Sequence, residues 1–179
     1  EGKLHGKQWQ KMTSNRGEYT ATEYYDNDKP TGKWQEIWEN GLILSEKEYK
    51  DKGTYTEREF FRNGKMESEV SYKDFKLHGL RKKYNDAGIL VRQDTYDEDK
   101  LTNRKYFFGN NGKLREELNY KNDGKEGKYI ENNENGTIKE EGNYKNNFKE
   151  GVWKEYTDKG VLHEQSTYVA GNLQGAYKE

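Results

Sequence analysis

The sequence contains no cysteine, one proline and few aliphatic side chains. Without cysteine the chain cannot form disulfides, zinc–thiolate sites or a thiol nucleophile. This absence leaves the compartment open, because many exported proteins also lack cysteine. No apolar run approaches the ~18 residues that a membrane-spanning helix needs. Only 29% of the 179 residues are hydrophobic, so the sequence predicts a thin structure without a thick core.

Charge and aromatic content exclude two further classes. The net charge is only −1, whereas a dedicated nucleic-acid binder carries a strong basic excess, so no nucleic-acid partner is expected. Intrinsic disorder goes with high net charge and few aromatics, but this chain has 15 Tyr, 6 Phe and 4 Trp. Because one such ring can cover ~150–250 Å², aromatic side chains can replace the missing aliphatic core.

A repeat with a period of 24 residues, once 23, runs through the chain. Its first marker is a turn glycine, found at Gly41, Gly64, Gly88, Gly112, Gly136 and Gly160. A tyrosine follows eight residues later, at Tyr49, Tyr72, Tyr96, Tyr120, Tyr144 and Tyr168. A bulky side chain stands two residues after each glycine, as at Ile43 and Leu90. These glycines and tyrosines are predicted to be structural, with the rings stacking between repeats.

The offsets within the repeat predict strands. Positions two and eight residues after the glycine have equal parity, so in a strand both side chains point to one face. Asn-Gly pairs such as Asn40-Gly41 favour tight hairpin turns. The predicted fold class is all-β: a single-layer antiparallel β-meander of tandem β-hairpin repeats, elongated and twisted. Residues 1–179 are predicted to form one array of about seven units and a partial C-terminal unit, ~70 Å long.

The repeat resembles the MORN repeat in its bacterial second type. The best copy runs from Gly151 and Trp153 through Gly160 to Tyr168, and the segment from Gly32 to Tyr49 is nearly as good. The resemblance covers almost the whole chain. It implies an exported repeat protein that presents a surface to another protein, or an antitoxin-like partner. Related repeats are also linked to phospholipid binding.

The sequence offers no arrangement for catalysis, and neither a cofactor nor a metal site is expected. His5 and His78 share a repeat position but are predicted to lie ~30 Å apart, too far to share a metal ion. Carboxylates recur five residues after the turn glycine, and they are interpreted as a solvated ladder. These carboxylates are Glu46, Glu69, Glu117 and Glu141.

Four aromatic residues are the candidate interaction face. Trp34, Tyr129 and Trp153 share a repeat position that is charged in other units. Such variation is not expected in a core, and exposed Trp and Tyr are common binding anchors. Trp38 is the fourth candidate.

The favoured function is therefore a non-enzymatic binding or scaffold protein, exported or at the cell surface, that recognises another protein. Three alternatives stay open: an intracellular antitoxin-like partner that neutralises a toxin, a module for anionic lipid or glycan, and an enzyme. The end strands leave unpaired backbone, which favours end-to-end or edge-mediated self-association. The start at Glu1 is consistent with removal of a leader or with a cut segment.

Overall fold

The computed structural model describes residues 2–15 and 17–178. These residues form two compact units, residues 1–88 and 89–179, called unit 1 and unit 2 below. The strands of unit 1 are β1 (Gly6–Ser14), β2 (Gly17–Asp26), β3 (Lys29–Pro30), β4 (Gly32–Trp38), β5 (Ile43–Tyr49), β6 (Tyr55–Phe60), β7 (Met66–Lys73) and β8 (Lys76–Tyr84). Those of unit 2 are β9 (Leu90–Asp97), β10 (Lys100–Phe107), β11 (Leu114–Lys121), β12 (Gly124–Asn132), β13 (Ile138–Lys145), β14 (Phe148–Tyr156), β15 (Leu162–Val169) and β16 (Asn172–Lys178).

Each unit is an antiparallel meander. In unit 1 the strands pair in chain order from β1 to β8, with the two-residue β3 paired beside β4 on β2. In unit 2 every strand from β9 to β16 pairs with the next strand in the chain. No helix occurs among the described residues. The predicted all-β meander of hairpins is thus confirmed, while the single array and its length stay predictions.

Two kinds of turn alternate along the chain. The turn glycines have positive φ, for example +83° at Gly41 and +97° at Gly136, which only glycine adopts without steric cost. Most of the other turns are two-residue hairpins in which both residues have positive φ, such as Asn122 (50°) and Asp123 (63°). Such turns match the right-handed twist of the flanking strands. The turn between β5 and β6 is longer and spans residues 50–54.

Neighbouring turns of the same kind are tied to each other. The side-chain amide of Asn135 donates to the carbonyl of Asp158 (2.8 Å). In the other set, the backbone N–H of Asn147 donates to the carbonyl of Lys125 (3.0 Å), and the Lys125 N–H donates to Asn147 Oδ1 (2.8 Å). These bonds satisfy backbone groups of one hairpin with groups of the next, so successive hairpins are held in phase.

One turn is longer than the repeat predicts. Spacing alone places Phe108 at the position that Ile37 and Tyr156 occupy in other repeats. In the structure Phe107 takes this position opposite Leu114, because the turn before Gly112 holds one more residue. The residues upstream of this turn are therefore shifted by one position, and Arg104 instead of Lys105 lies opposite Leu118.

Each unit has a face that carries the ring contacts, called the aromatic face below. In unit 1 it holds a continuous row of rings: Tyr25, Trp34, Tyr49, Tyr55 and Tyr72. Ring centroids in this row are 4.6–5.1 Å apart. In unit 2 it holds a buried core of Leu118, Tyr129 and Trp153, against which Tyr106, Tyr120, Tyr144 and Tyr168 pack. Aromatic side chains thus supply the packing that aliphatic side chains supply in most protein cores.

Candidate interaction surface

The structure places three of the four candidate interaction residues in the ring rows of the aromatic face. Trp34 lies between Tyr25 and Tyr49, and its indole N–H donates to the carbonyl of Tyr24 (2.9 Å). Tyr129 is 6% and Trp153 is 2% exposed. The exposure expected for Tyr129 and Trp153 is therefore wrong, and contact of these side chains with a partner stays a prediction.

Trp153 is buried because it lies against a glycine. A Cβ built on Gly142 would lie 2.3 Å from Cδ2 of the Trp153 ring. The indole therefore covers the backbone of β13 where any side chain would stand. Its N–H donates to the carbonyl of Asn143 (3.1 Å), and the ammonium of Lys149 lies 3.9 Å from the ring centroid.

Trp38, the fourth candidate, is half-buried near the turn that follows β4. Its ring meets Tyr19 edge-on at 6.0 Å, and the guanidinium of Arg62 lies 5.2 Å from its centroid. The indole N–H is buried and has no acceptor among the described residues. Trp38 therefore lies outside the ring row of unit 1, and its contact with a partner also stays a prediction.

A groove of about 500 Å³ lies on the aromatic face of unit 1. Ala21, which is 8% exposed, lies in it together with Trp34, Phe60 and Leu44. Charged and polar side chains complete the lining: Glu23, Glu36, Glu57, Glu59, Glu67, Lys47 and Ser45, with Thr22 and Gln35. The groove therefore combines apolar surface with five carboxylates and one ammonium group.

Most of these carboxylates bond to hydroxyls and not to cations. Tyr25 donates to Glu23 (2.8 Å), Ser45 donates to Glu36 (2.7 Å), and Ser68 donates to Glu59 (3.1 Å). Within the described lining, the one ion pair joins Lys47 and Glu57 (3.2 Å). A carboxylate has about four acceptor sites, so one hydroxyl leaves most of its capacity unused.

The negative charge of the groove affects its neighbours. Burial, the hydrogen bond to Glu23 and the charge of Glu23 raise the pKa of Tyr25 to about 12. Burial alone would lower the pKa of Lys47, but its hydrogen bond to Glu57 raises it. Both groups therefore stay protonated at neutral pH, with Lys47 as the cation of the groove.

The aromatic face of unit 2 carries a row of five glutamates. They lie directly opposite one another on β11 to β15 and are Glu116, Glu131, Glu140, Glu155 and Glu164. Lys139 bonds to Glu131 (2.8 Å) and Lys149 bonds to Glu140. Like charges directly opposite each other destabilise a sheet. Lys139 and Lys149 thus pair with two of the five carboxylates.

The other face of unit 1 differs because its charges alternate. Gln35, Glu46, Arg58, Glu69 and Lys82 lie opposite one another across β4 to β8. The Arg58 guanidinium donates to Glu46 and to Glu69, each at 2.9 Å. Burial would raise the pKa of Glu46, but the hydrogen bonds from Arg58 and Gln35 lower it. Glu46 is only 6% exposed, so the predicted solvated carboxylate ladder is wrong at this residue.

A second buried carboxylate lies in unit 2. Asp94 is 1% exposed and accepts from Arg104 Nε (2.7 Å) and from Arg92 Nη2 (2.5 Å). Burial would raise its pKa, but the bonds from Arg92 and Arg104 lower it. The cluster occupies the repeat position that Leu118 fills one unit later, so it serves as a polar part of the core.

The described residues show no arrangement that supports metal chemistry. No group of three or more His, Cys, Asp or Glu among them could hold a metal ion. His5 instead pairs with Asp26 (3.2 Å). The described part of the chain also has no helix that is long and apolar enough to cross a bilayer.

Sequence reasoning missed the groove and the glutamate row. Both depend on which residues face each other across neighbouring strands, and the period alone does not give this register. A signal for the row was present, because a glutamate stands four residues after each of Gly112, Gly136 and Gly160. The buried Trp153 could have been found from Gly142, a glycine within a strand, which often marks close approach of another group.

Comparisons with known proteins agree with the repeat. The family model described as "MORN repeat variant" matches residues 30–51, 56–74, 77–98, 102–122, 125–146 and 149–170. A solved structure titled "Crystal Structure of TarM" is 18% identical, with a TM-score of 0.38 over 55% of this chain and 19% of that chain, a likeness too low to support an argument. No curated protein matches the chain. Because the six family matches cover more than half of the sequence, the predicted resemblance is confirmed and the chain belongs to the family of MORN repeat variants.

Proposed function

We propose that the chain is a non-enzymatic interaction protein that binds another polypeptide on its aromatic face. Tandem MORN repeats are in general interaction modules. The groove of unit 1 carries the proposal, because it is a concave surface with apolar and charged groups side by side. Protein interfaces combine an apolar centre with a polar rim in the same way.

The chemistry of the groove supports binding over catalysis. Its lining includes neither histidine nor cysteine, two side chains that often move protons or attack substrates near neutral pH. Its carboxylates also disfavour an anionic lipid headgroup, because like charges repel. A polypeptide, which offers donors, cations and apolar stems together, suits this lining best.

Position-specific photocrosslinking tests the proposal. A benzophenone amino acid placed at Glu67, in the groove, is expected to form adducts with a defined polypeptide in extracts of the native organism. The same group at Glu48 is the matched control, because Glu48 is not part of the groove and its carboxylate bonds to Arg58. Mass spectrometry identifies the adducts. Equal labelling from both positions, or none from Glu67, would show that the groove is not the binding surface.

We further propose that the protein is exported or surface-associated in a bacterium. The resemblance of the repeat to exported repeat proteins supports this location. Cell fractionation with an antibody, together with the sequence encoded before Glu1, tests it. Recovery in the cytoplasm would contradict export and favour the antitoxin-like alternative.

A further inference from the structure

We infer that the groove of unit 1 takes a lysine- or arginine-rich segment of the partner polypeptide. The inference rests on the proposed function, because it names the chemistry of the partner for the same groove. Three observations support it: the groove holds glutamates that no described lysine or arginine pairs with, apolar side chains lie beside them, and the charges on the other face of the sheet are balanced.

The groove has excess negative charge that no described cation balances. Five glutamates line it, and Lys47, its one cation, pairs with Glu57. Glu23, Glu36 and Glu59 accept from neutral hydroxyls, which leave the charge in place. An occupant with several positive charges would supply the missing ion pairs. Positive and negative patches of this kind steer association and select the partner.

The other face shows that this sequence balances charge elsewhere. There Arg58 bonds to three carboxylates, those of Glu46, Glu48 and Glu69, and Lys82 bonds to Glu69 as well. Both faces belong to the same strands, so the imbalance does not follow from composition. It is a property of the aromatic face alone.

The spacing of the groups suits an extended segment. Glu36 and Glu59 lie in register on β4 and β6, with Ser45 of β5 between them. Strands two apart are separated by ~10 Å, while same-side residues of an extended peptide repeat every ~7 Å. The flexible stems of lysine and arginine can cover this difference, and they can lie along the apolar surface of Trp34 and Phe60.

Other occupants fit the groove less well. Among the described residues no carboxylate group is arranged to hold a metal ion. A neutral glycan would use the aromatic and carboxylate groups but not the excess charge. An anionic lipid would meet repulsion.

Fluorescence anisotropy with the full chain tests the inference. The probe is a labelled peptide of alternating lysine and serine, and the matched peptide replaces every lysine with glutamate. The variant Glu23→Gln/Glu36→Gln/Glu59→Gln removes three charges but keeps amide oxygens that can accept from the same hydroxyls. The control variant Glu18→Gln/Glu39→Gln/Glu134→Gln removes three charges from exposed positions outside the groove.

We expect the lysine peptide to bind the unaltered chain and the control variant alike, and the groove variant about tenfold more weakly. Three partly exposed ion pairs at fractions of a kcal/mol each give a change of this order. Higher salt should weaken binding to the unaltered chain more than to the groove variant. Unchanged urea midpoints show that both variants fold.

Equal weakening in both variants, or equal binding of the glutamate peptide, would overturn the inference. These outcomes are separate from the test of the proposed function. Adducts formed from Glu67 without any preference for the lysine peptide would leave the groove as a binding surface and reject only the basic partner.

Discussion

At the scale of single residues, Gly142 and Trp153 form a reciprocal pair. The indole lies where a Cβ on residue 142 would stand, only 2.3 Å from Cδ2 of the ring. Gly142 does not have a positive φ, so it is required for space and not for backbone conformation. The burial of Trp153 therefore depends on the absence of a side chain on the neighbouring strand.

Gly142→Ala is accordingly expected to lower the free energy of unfolding by about 1–3 kcal/mol, the usual cost of overpacking a well-packed site. Urea unfolding followed by tryptophan fluorescence measures the change. Gly175→Ala is the control, because a Cβ there would have no heavy atom within 4 Å and the variant should lie within about 0.5 kcal/mol of the parent. If Gly142→Ala is as stable as Gly175→Ala, the indole does not hold the described position.

Asp94 shows how a charge can replace a core side chain. Arg92 and Arg104 hold its pKa below the ordinary value of 3.8, even though burial opposes this. A lowered pKa in the folded state means that the carboxylate stabilises the fold above its ordinary pKa. This contribution is lost as the pH falls through the folded-state pKa.

We expect Asp94→Asn to lower the free energy of unfolding by about 2 kcal/mol at pH 7, because two guanidinium groups lose their charged acceptor. The difference between parent and variant should shrink as the pH falls below 3.8. Urea unfolding of both proteins from pH 7 to acid gives the two curves. A difference that stays constant over this range would contradict the role of the Asp94 charge.

At the scale of the element, the hairpin turns repeat one design with different residues. The first residue of the two-residue turn has positive φ at Asn27 (49°), Asn122 (50°), Asn146 (50°) and Ala170 (47°). Asparagine tolerates this conformation, whereas alanine does so at a cost of roughly 1 kcal/mol. The backbone N–H groups of Asn146 and Ala170 each donate to the carboxylate of a glutamate twenty residues earlier in the chain.

Ala170→Asn should therefore raise the free energy of unfolding by about 0.5–1 kcal/mol. The reverse change in the preceding repeat, Asn146→Ala, should lower it by a similar amount. Both effects are measured by urea unfolding. If the two substitutions change the free energy of unfolding in the same direction, the positive φ of this turn position does not favour asparagine over alanine.

The strands and turns could be predicted from the sequence, whereas the burial and contacts of individual side chains could be predicted only in part. Parity and the turn glycines predict the strands because they are local signals. Burial of Tyr129 and Trp153 was not predicted, since it depends on Leu118 and Gly142 on the neighbouring strands. The shift at Phe107 was missed because one added turn residue leaves the 24-residue spacing intact. The groove requires the register of five strands, which no single repeat contains.

At the scale of the whole molecule, the repeats share a backbone but are not interchangeable. Leu118 and Gly142 occupy the same position in successive repeats, and Tyr129 and Trp153 do so as well. Each large residue matches the residue on the strand before it: Tyr129 packs with Leu118, and Trp153 lies over Gly142. A repeat array is stabilised through such contacts between neighbouring repeats. Removal of one repeat therefore brings together side chains that were not in contact before, in addition to shortening the array.

Deletion of residues 127–150 tests this dependence, because it removes one repeat and leaves the phase of the others unchanged. In the shortened chain Leu118 takes the position of Gly142, on the strand that precedes the strand of Trp153. The shortened chain should lose stability, and adding Leu118→Gly to it should restore part of the loss by making room for the indole. In the full chain the same Leu118→Gly change should cost about 2–5 kcal/mol, because it opens a cavity in the core. The sign of the Leu118→Gly effect in urea unfolding is thus expected to reverse between the two chains. A cost in both would mean that Trp153 repacks independently of its neighbour, and that the repeats are exchangeable units after all.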